Sequence, residues 1–189
     1  AIVDGSIMDA SSVVEAVKNL VEMEKVSTKN VVTAVSGTSV IVKKIKLPFM
    51  TEEELAESIE WEAEQYIPFD ISDVNVDFQI LEGGFSSEEQ DSGQMDVLLV
   101  AVKREKIDDY TNLILEAGLS PVIVDVDAFA IENSYELNYG INEEEIVALV
   151  DLGASVMDIN ILKGGITAFT RDISLGGNLY TETIQKELN

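Results

Sequence analysis

The sequence contains no cysteine and no histidine. That double absence removes disulfides, zinc centres with thiolate or imidazole ligands, cysteine nucleophiles and every Ser-His-Asp arrangement. Any metal must be held by oxygen, which favours magnesium or calcium. A chain without cysteine also suits a reducing cytoplasm. Basic residues are scarce: 12 lysines and arginines stand against 36 acidic residues, a net charge of −24. Such a surface repels phosphate backbones and anionic lipid, so neither nucleic acid nor a membrane surface is a direct ligand. The acidity serves solubility, or forms a face that recognises a basic partner. Long apolar runs are missing too. The longest strongly apolar stretch, Val97 to Val102, falls far short of the roughly 20 residues that span a bilayer, and no signal-peptide pattern opens the chain. A membrane role therefore has to come through a partner.

What is present is enough to fold. The chain has 189 residues, 46% of them apolar, sufficient for one large or two small cores. After Asp9 to Ser12, the residues Val13, Val14, Val17, Leu20 and Val21 recur at helical spacing and predict a helix ending near Lys25. Val31 to Val35 and Val40 to Leu47 predict two adjacent strands, parted by Ser36-Gly37-Thr38 and stopped at Pro48. Thr51 and Glu54 form a capping-box pattern. Leu55, Ile59, Ala63 and Tyr66 then continue one apolar helical face up to Pro68, opposite a solvated row of glutamates. Asp73 to Leu81 and Met95 to Lys103 predict a hairpin around a Gly/Ser/acidic loop at 82–94, whose composition predicts mobility. A helix over Lys106 to Ala117 ends at Gly118, and Pro121 to Asp125 predicts a buried strand. Asp127 is placed as the cap of a helix reaching about Leu137. Ile146 to Val150, Val156 to Leu162 and Ile166 to Ile173 predict three strands, the last two a hairpin around Lys163-Gly164-Gly165, followed by a helix from Asn178 to Leu188. No short period repeats, and the class is mixed α/β.

The segment with most chemical content is Asp151-Leu152-Gly153-Ala154-Ser155, between an apolar strand and the next. A tight turn of small residues lets backbone N–H groups approach a phosphate, and the leading carboxylate can hold magnesium through water. The same string is equally an ordinary hairpin turn. Gly176-Gly177 opens the last helix, where amide donors and the positive end of the dipole favour an anion, although a glycine pair also serves a sharp strand-to-helix turn. In Asp125-Val126-Asp127 two carboxylates could order a magnesium ion or a water, or Asp127 could be only a cap and Asp125 a surface charge. Trp61, Tyr66, Ile67 and Phe69 crowd the end of the acidic helix. They are read as a core plug, with a strand-addition peptide groove beside them as the alternative.

Four stretches resemble the PilM family of type IV pilus assembly proteins: Lys43-Lys44-Ile45-Lys46-Leu47-Pro48, the run from Glu60 through Trp61, Tyr66, Ile67 and Pro68 to Phe69-Asp70, Val124 to Ala130, and Val150 to Ser155. The likeness covers essentially the whole chain, and the Trp-Glu-Ala-Glu-Gln-Tyr-Ile-Pro-Phe run is its most specific part. It implies an α/β, partial actin-like ATPase fold with an FtsA-like inserted α+β subdomain. Residues 1–47 would be a remnant of the first core subdomain, 48–124 the inserted subdomain, 125–145 a linking helix and connection, and 146–189 the start of the second lobe. Asp151, Gly153, Ala154 and Ser155 would be the second phosphate loop, Asp151 would serve magnesium, and Gly176 and Gly177 would match the glycine pair near the nucleotide. Asp127 stands where relatives carry Glu or Gln before a small-residue helix. It would orient the attacking water, although its shorter side chain weakens that role.

The implied function is a cytoplasmic scaffold, peripheral to the inner membrane, of the type IV pilus or a related type II secretion platform. It would bind ATP and Mg2+ in the full-length protein, be at most a weak ATPase, and take the cytoplasmic tail of PilN beside Val40 to Leu47 and Tyr66 to Phe69. Further partners implied are other assembly proteins, including motor ATPases. An FtsA-like cell-division protein or a small-molecule kinase of the same superfold is the alternative. Relative to the family pattern the sequence is expected to be shortened at both ends. The expected consequences are weak or absent ATP binding, and a possible homodimer through unpaired strand edges.

Overall fold

A computed structural model describes residues 1–3, 6–81 and 93–188 of the chain. The chain order begins with two short strands, β1 (Ile2–Val3) and β2 (Ser6–Ile7), which pair antiparallel and which the sequence pattern did not reveal. Helix α1 (Ala10–Met23) follows, its first turn capped by Asp9, which accepts the Ser12 N–H at 3.1 Å. The next strands are β3 (Asn30–Val35) and β4 (Val40–Pro48). They are not neighbours, contrary to the sequence expectation. β3 pairs parallel with β7 (Ser120–Val126), and β4 pairs antiparallel with β6 (Gln94–Lys103). The Ser36-Gly37-Thr38 link, with Gly37 at φ 90°, carries the chain from one sheet to another rather than folding it back as a hairpin.

The main core lies under helix α2 (Glu52–Ala63), which begins with the capping box foreseen: Thr51 accepts from the Glu54 N–H, and the Glu54 side chain accepts from the Thr51 N–H. Its inward residues Leu55, Ile59 and Ala63 are 0%, 5% and 0% exposed. They cover the sheet β4–β6–β5, in which β5 (Val74–Ile80) is an outer strand. From this side of the sheet come Ile45, Leu47, Val74, Val97, Leu99 and Ala101. β6 is central and apolar on both faces, so it is buried along nearly its whole length. Each fully buried aliphatic side chain here contributes about 1.5–3 kcal/mol. Tyr66, Ile67 and Phe69 pack on this core as predicted, but Trp61 does not. It sits on the outer face of α2 and is 84% exposed. In the run Leu55–Ile59–Ala63 the inward positions fall every fourth residue, which sends position 61 outward. The β5–β6 hairpin matches the sequence reading. The loop predicted to be mobile lies outside the described residues over 82–92.

Helix α3 (Arg104–Glu116) packs on β7 and α1. β7 is only half covered, with Val122 and Ile123 each 56% exposed, because among the described residues its sheet has two strands, with helices packed on it. Helix α4 (Asp127–Tyr139) starts one residue earlier than predicted. Asp127 is its first helical residue, not its cap; the capping position is Val126, which offers no side-chain bond. The remaining strands, β8 (Ile146–Leu152), β9 (Met157–Lys163) and β10 (Ile166–Ile173), form an antiparallel meander that enters helix α5 (Gly177–Leu188). The three-strand meander leading into a helix is the arrangement expected from sequence. α4 is tied to it by a buried polar group: Asn160 donates to the Ala128 carbonyl and to Glu132, and Thr167 donates to the same Glu132 oxygen. Among the described residues no helix is long and apolar enough to cross a membrane.

Candidate functional site

The turn after β8 is closed by the Gly153 N–H, which donates to the Val156 carbonyl at 3.0 Å. α5 begins directly against it. The Gly177 and Asn178 N–H groups donate to the carbonyls of Gly153 and Ala154 at 3.0 and 2.9 Å, and the Asn178 side chain donates to Ser155 Oγ at 3.1 Å. The turn and the glycine pair are therefore one unit, brought together although they are far apart in sequence. Gly176 is what makes the approach possible: a Cβ there would lie 2.4 Å from the Ala154 carbonyl oxygen and 2.6 Å from that of Gly153. Glycine is required by closeness at this position, not by backbone angle. Two of the helix-opening amides thus hold the turn in shape.

Beneath the turn lies a row of carboxylates. In the strand register Asp151 faces Asp158, and Asp158 faces Asp172, so the three stand side by side across β8, β9 and β10. Asp172 accepts the Gly37 N–H from the β3–β4 link, which fastens this sheet to the rest of the molecule. Asp158 is 7% exposed and its Oδ1 has no hydrogen-bond partner. Burial, foremost, and then the charge and hydrogen bond of Asp172, with smaller effects from Asp127 and Asp151, push its carboxyl up to about 7. Asp127, at the start of α4, is thus within electrostatic reach of the row. Asp125, two residues earlier, does not join this description; its side chain accepts the Val126 N–H at 2.8 Å. Asp158 was not singled out from sequence. The alternation of β9 carried the signal, because Asp158, Asn160 and Leu162 all fall on the buried face and two of the three are polar.

The donor set suits magnesium, which keeps water ligands and binds through one or two carboxylates together with phosphates. Among the described residues, no group of three acidic side chains is arranged to chelate a metal by itself. A hollow of about 260 Å³, lined by Gly37, Thr38, Lys103, Lys106 and Val156 among others, adjoins the turn. It falls below the roughly 300–1,000 Å³ of ordinary small-molecule sites. The carboxylates are of the kind that suit magnesium through water, whereas the Gly153, Gly177 and Asn178 amides expected to face a phosphate are already engaged within the turn.

A larger concavity lies elsewhere, while a hollow of about 340 Å³ runs beside Val40 to Lys43, within the stretch where the partner groove was expected. The larger one is an open groove of about 550 Å³ between the edge of β5, from Asn75 to Gln79, and the end of β7 with Phe129 of α4. Leu98 and Val100 of β6 form its floor. A further hollow of about 340 Å³ shares Gln79, Leu98, Asp125 and Phe129 with it and extends it toward Glu132 and Glu136. This groove lies on the face of the β4–β6–β5 sheet opposite α2, which covers the core side.

The mixed α/β architecture, with several small sheets and a three-strand meander feeding a helix, is that of the actin-like ATPases. A model of that class, described as type IV pilus assembly protein PilM, matches residues 1–189. The chain belongs to the PilM family. It is similar to a structure of a PilM–PilN type IV pilus biogenesis complex at 29% identity and a TM-score of 0.81, covering 98% of this chain and 55% of that one. The chain thus spans about half the length of that relative. The cytoplasmic domain of EpsL, an inner-membrane component of the type II secretion system of Vibrio cholerae, shares the fold at 18% identity and a TM-score of 0.55, covering 85% of this chain and 56% of that one. The ethanolamine utilization protein EutJ from Carboxydothermus hydrogenoformans does so at 15% identity and a TM-score of 0.50, covering 99% of this chain and 44% of that one.

Proposed function

We propose that the protein is a cytoplasmic scaffold of the type IV pilus assembly platform, which holds the cytoplasmic tail of a PilN partner and responds to a nucleotide. The observation that carries this reading is the open groove between β5 and β7, in a chain similar over nearly its whole length to one from a PilM–PilN complex. A groove bordered by a free strand edge and floored by Leu98 and Val100 suits an extended tail with apolar side chains. Through that tail the scaffold would reside at the inner membrane.

Where the sequence reading assigned 1–47 to the first core subdomain, 48–124 to the inserted one and 125–145 to a link, the pairing of β4 with β6 and of β3 with β7 favours moving β4 into the inserted subdomain with α2, and α3, β7 and α4 into the first core subdomain, with 146–189 still opening the second lobe. Gly153, Ala154 and Ser155 would shape the phosphate-facing turn, with Gly176 and Gly177 bracing it from α5. Asp151 would meet magnesium through water, and Asp127 would position a water at the phosphate. When bound, magnesium would supply the positive charge that lets a triphosphate lie beside this row of carboxylates. Hydrolysis would be slow at best, since the short Asp127 side chain begins a helix rather than reaching from a loop.

The test is calorimetric titration of the protein with a synthetic peptide of the PilN tail, with and without MgATP. Binding of the peptide, altered by MgATP, is the expected result. Absence of peptide binding under both conditions would remove the scaffold reading.

A further inference from the structure

We propose that the outer face of α2, centred on Trp61, docks a basic face of another protein, one of whose arginines lies flat on the indole. The surface is separate from the groove. α2 covers one face of the β4–β6–β5 sheet, and Leu98 and Val100, which floor the groove, belong to the other. The inward positions of α2 are Leu55, Ile59 and Ala63, so Trp61 points away from the core. On the outward side stand Glu53, Glu57, Glu60 and Glu64, all exposed and spaced at helical steps. Trp61 comes one turn after Glu57 and one turn before Glu64, so the ring neighbours both carboxylates on the helix surface.

This row works against the helix that carries it. Like charges one turn apart repel. Glu60, Glu62 and Glu64 also crowd the negative end of the helix dipole, and α2 contains no basic residue to offset either effect. Among the described residues no ion pair reaches the row, since Lys44 and Lys46 pair with Asp96. Nor does a cation cover Trp61: the stacked cations are Lys103 on Phe69 and Lys106 on Tyr110. The indole is left 84% exposed among unpaired carboxylates. What ring and row both lack, an arginine supplies. Its planar guanidinium stacks on the indole and donates to a carboxylate beside it at the same time, which the compact lysine ammonium does less well. Tryptophan and arginine are also the residues in which binding energy concentrates at interfaces. From Glu53 to Glu64 the row runs about 17 Å at 1.5 Å per residue, long enough to meet several basic side chains. The complement is therefore a protein face with arginine opposite Trp61 and further basic residues opposite the glutamates; acidic partners are repelled by the same row.

The probe is an alanine-based helical peptide with arginine at every third or fourth position, titrated into the full 189-residue chain at physiological salt. Calorimetry gives the affinity, and the emission of Trp61, the single tryptophan, reports contact at the ring. The same peptide with lysine for arginine is the first comparison. The protein variants are Trp61→Ala, the triple Glu57→Gln/Glu60→Gln/Glu64→Gln, and a charge-matched control, Glu143→Gln/Glu144→Gln/Glu145→Gln, at exposed positions before β8. The arginine peptide should change the tryptophan emission and bind about threefold more tightly than the lysine peptide. Trp61→Ala should bind the arginine peptide about fivefold more weakly and lose the preference for arginine. The α2 triple should lose about tenfold, and the control triple less than about twofold, which separates a docking face from the general attraction of an acidic protein. Equal affinity for the two peptides, an unchanged emission at saturation, or a control triple as weak as the α2 triple would overturn the proposal, as would no binding of the arginine peptide. The peptide comparison and the emission use the unaltered protein, so a folding defect in a variant cannot decide the outcome. None of these results bears on the groove, which the PilN tail peptide tests on the other face of the sheet.

Discussion

Replacing Asp158 by asparagine should make the protein more stable at alkaline pH and leave it little changed at acid pH. The carboxyl is buried on β9 between Asp151 and Asp172, and its pKa stands at about 7. In the unfolded chain an aspartate titrates near 3.9. Between these values the folded state holds a proton that the unfolded state has released, so stability falls as pH rises from about 4 to about 7 and is flat above. The difference is about three pKa units at 1.36 kcal/mol each, so the full effect is about 4 kcal/mol. Between pH 5 and pH 8 the unaltered protein should lose up to about 3 kcal/mol through this group alone. An asparagine has no proton to lose. Its amide can donate to Asp172, which already accepts the Gly37 N–H and keeps the role of acceptor. Urea unfolding of both proteins, followed by circular dichroism at pH 5 and pH 8, measures the effect. The variant's advantage should grow by about 1–3 kcal/mol from pH 5 to pH 8. If the difference between the two proteins is the same at both pH values, the proton is not on Asp158 and the account of the carboxylate row is wrong.

Gly176→Ala should destabilise the protein by about 1–3 kcal/mol and weaken any phosphate binding, since the new Cβ would meet the Ala154 carbonyl oxygen at 2.4 Å; thermal unfolding and nucleotide titration check both. Thr51→Ala removes the acceptor of the Glu54 N–H and should cost about 1 kcal/mol in urea unfolding, a smaller loss than truncating a core residue. Trp61 is the single tryptophan and is 84% exposed, so native fluorescence should peak near the wavelength of tryptophan in water and be readily quenched by acrylamide. Trp61→Ala should then shift stability by less than about 0.5 kcal/mol. A blue-shifted, protected emission would contradict that placement.

The local structure was legible in the residues because its causes are local. Thr51 with Glu54, the i, i+4 spacing of Leu55, Ile59 and Ala63, the alternation and turn chemistry of Met157 to Ile173, and the glycine pair at the start of α5 each specify an element with little help from elsewhere. The acidic charge and the missing cysteine and histidine likewise bound the chemistry without any coordinates. Other features depended on long-range pairing, which sequence period does not encode. Whether β3 joins β4 or β7 is decided by which partner completes a sheet under α3 and α4, and the expected adjacency of β3 and β4 lost. Trp61 could be placed in the core only by ignoring the direction set by its inward neighbours. Asp158 became notable once β8 and β10 placed a carboxylate on each side of it. The groove exists because α2 occupies one face of the β4–β6–β5 sheet and leaves the other, beside β5 and the end of β7, open. Composition and periodicity act on neighbours a few residues apart, whereas a cleft or a row of buried charges is a relation between strands that only the folded chain brings side by side.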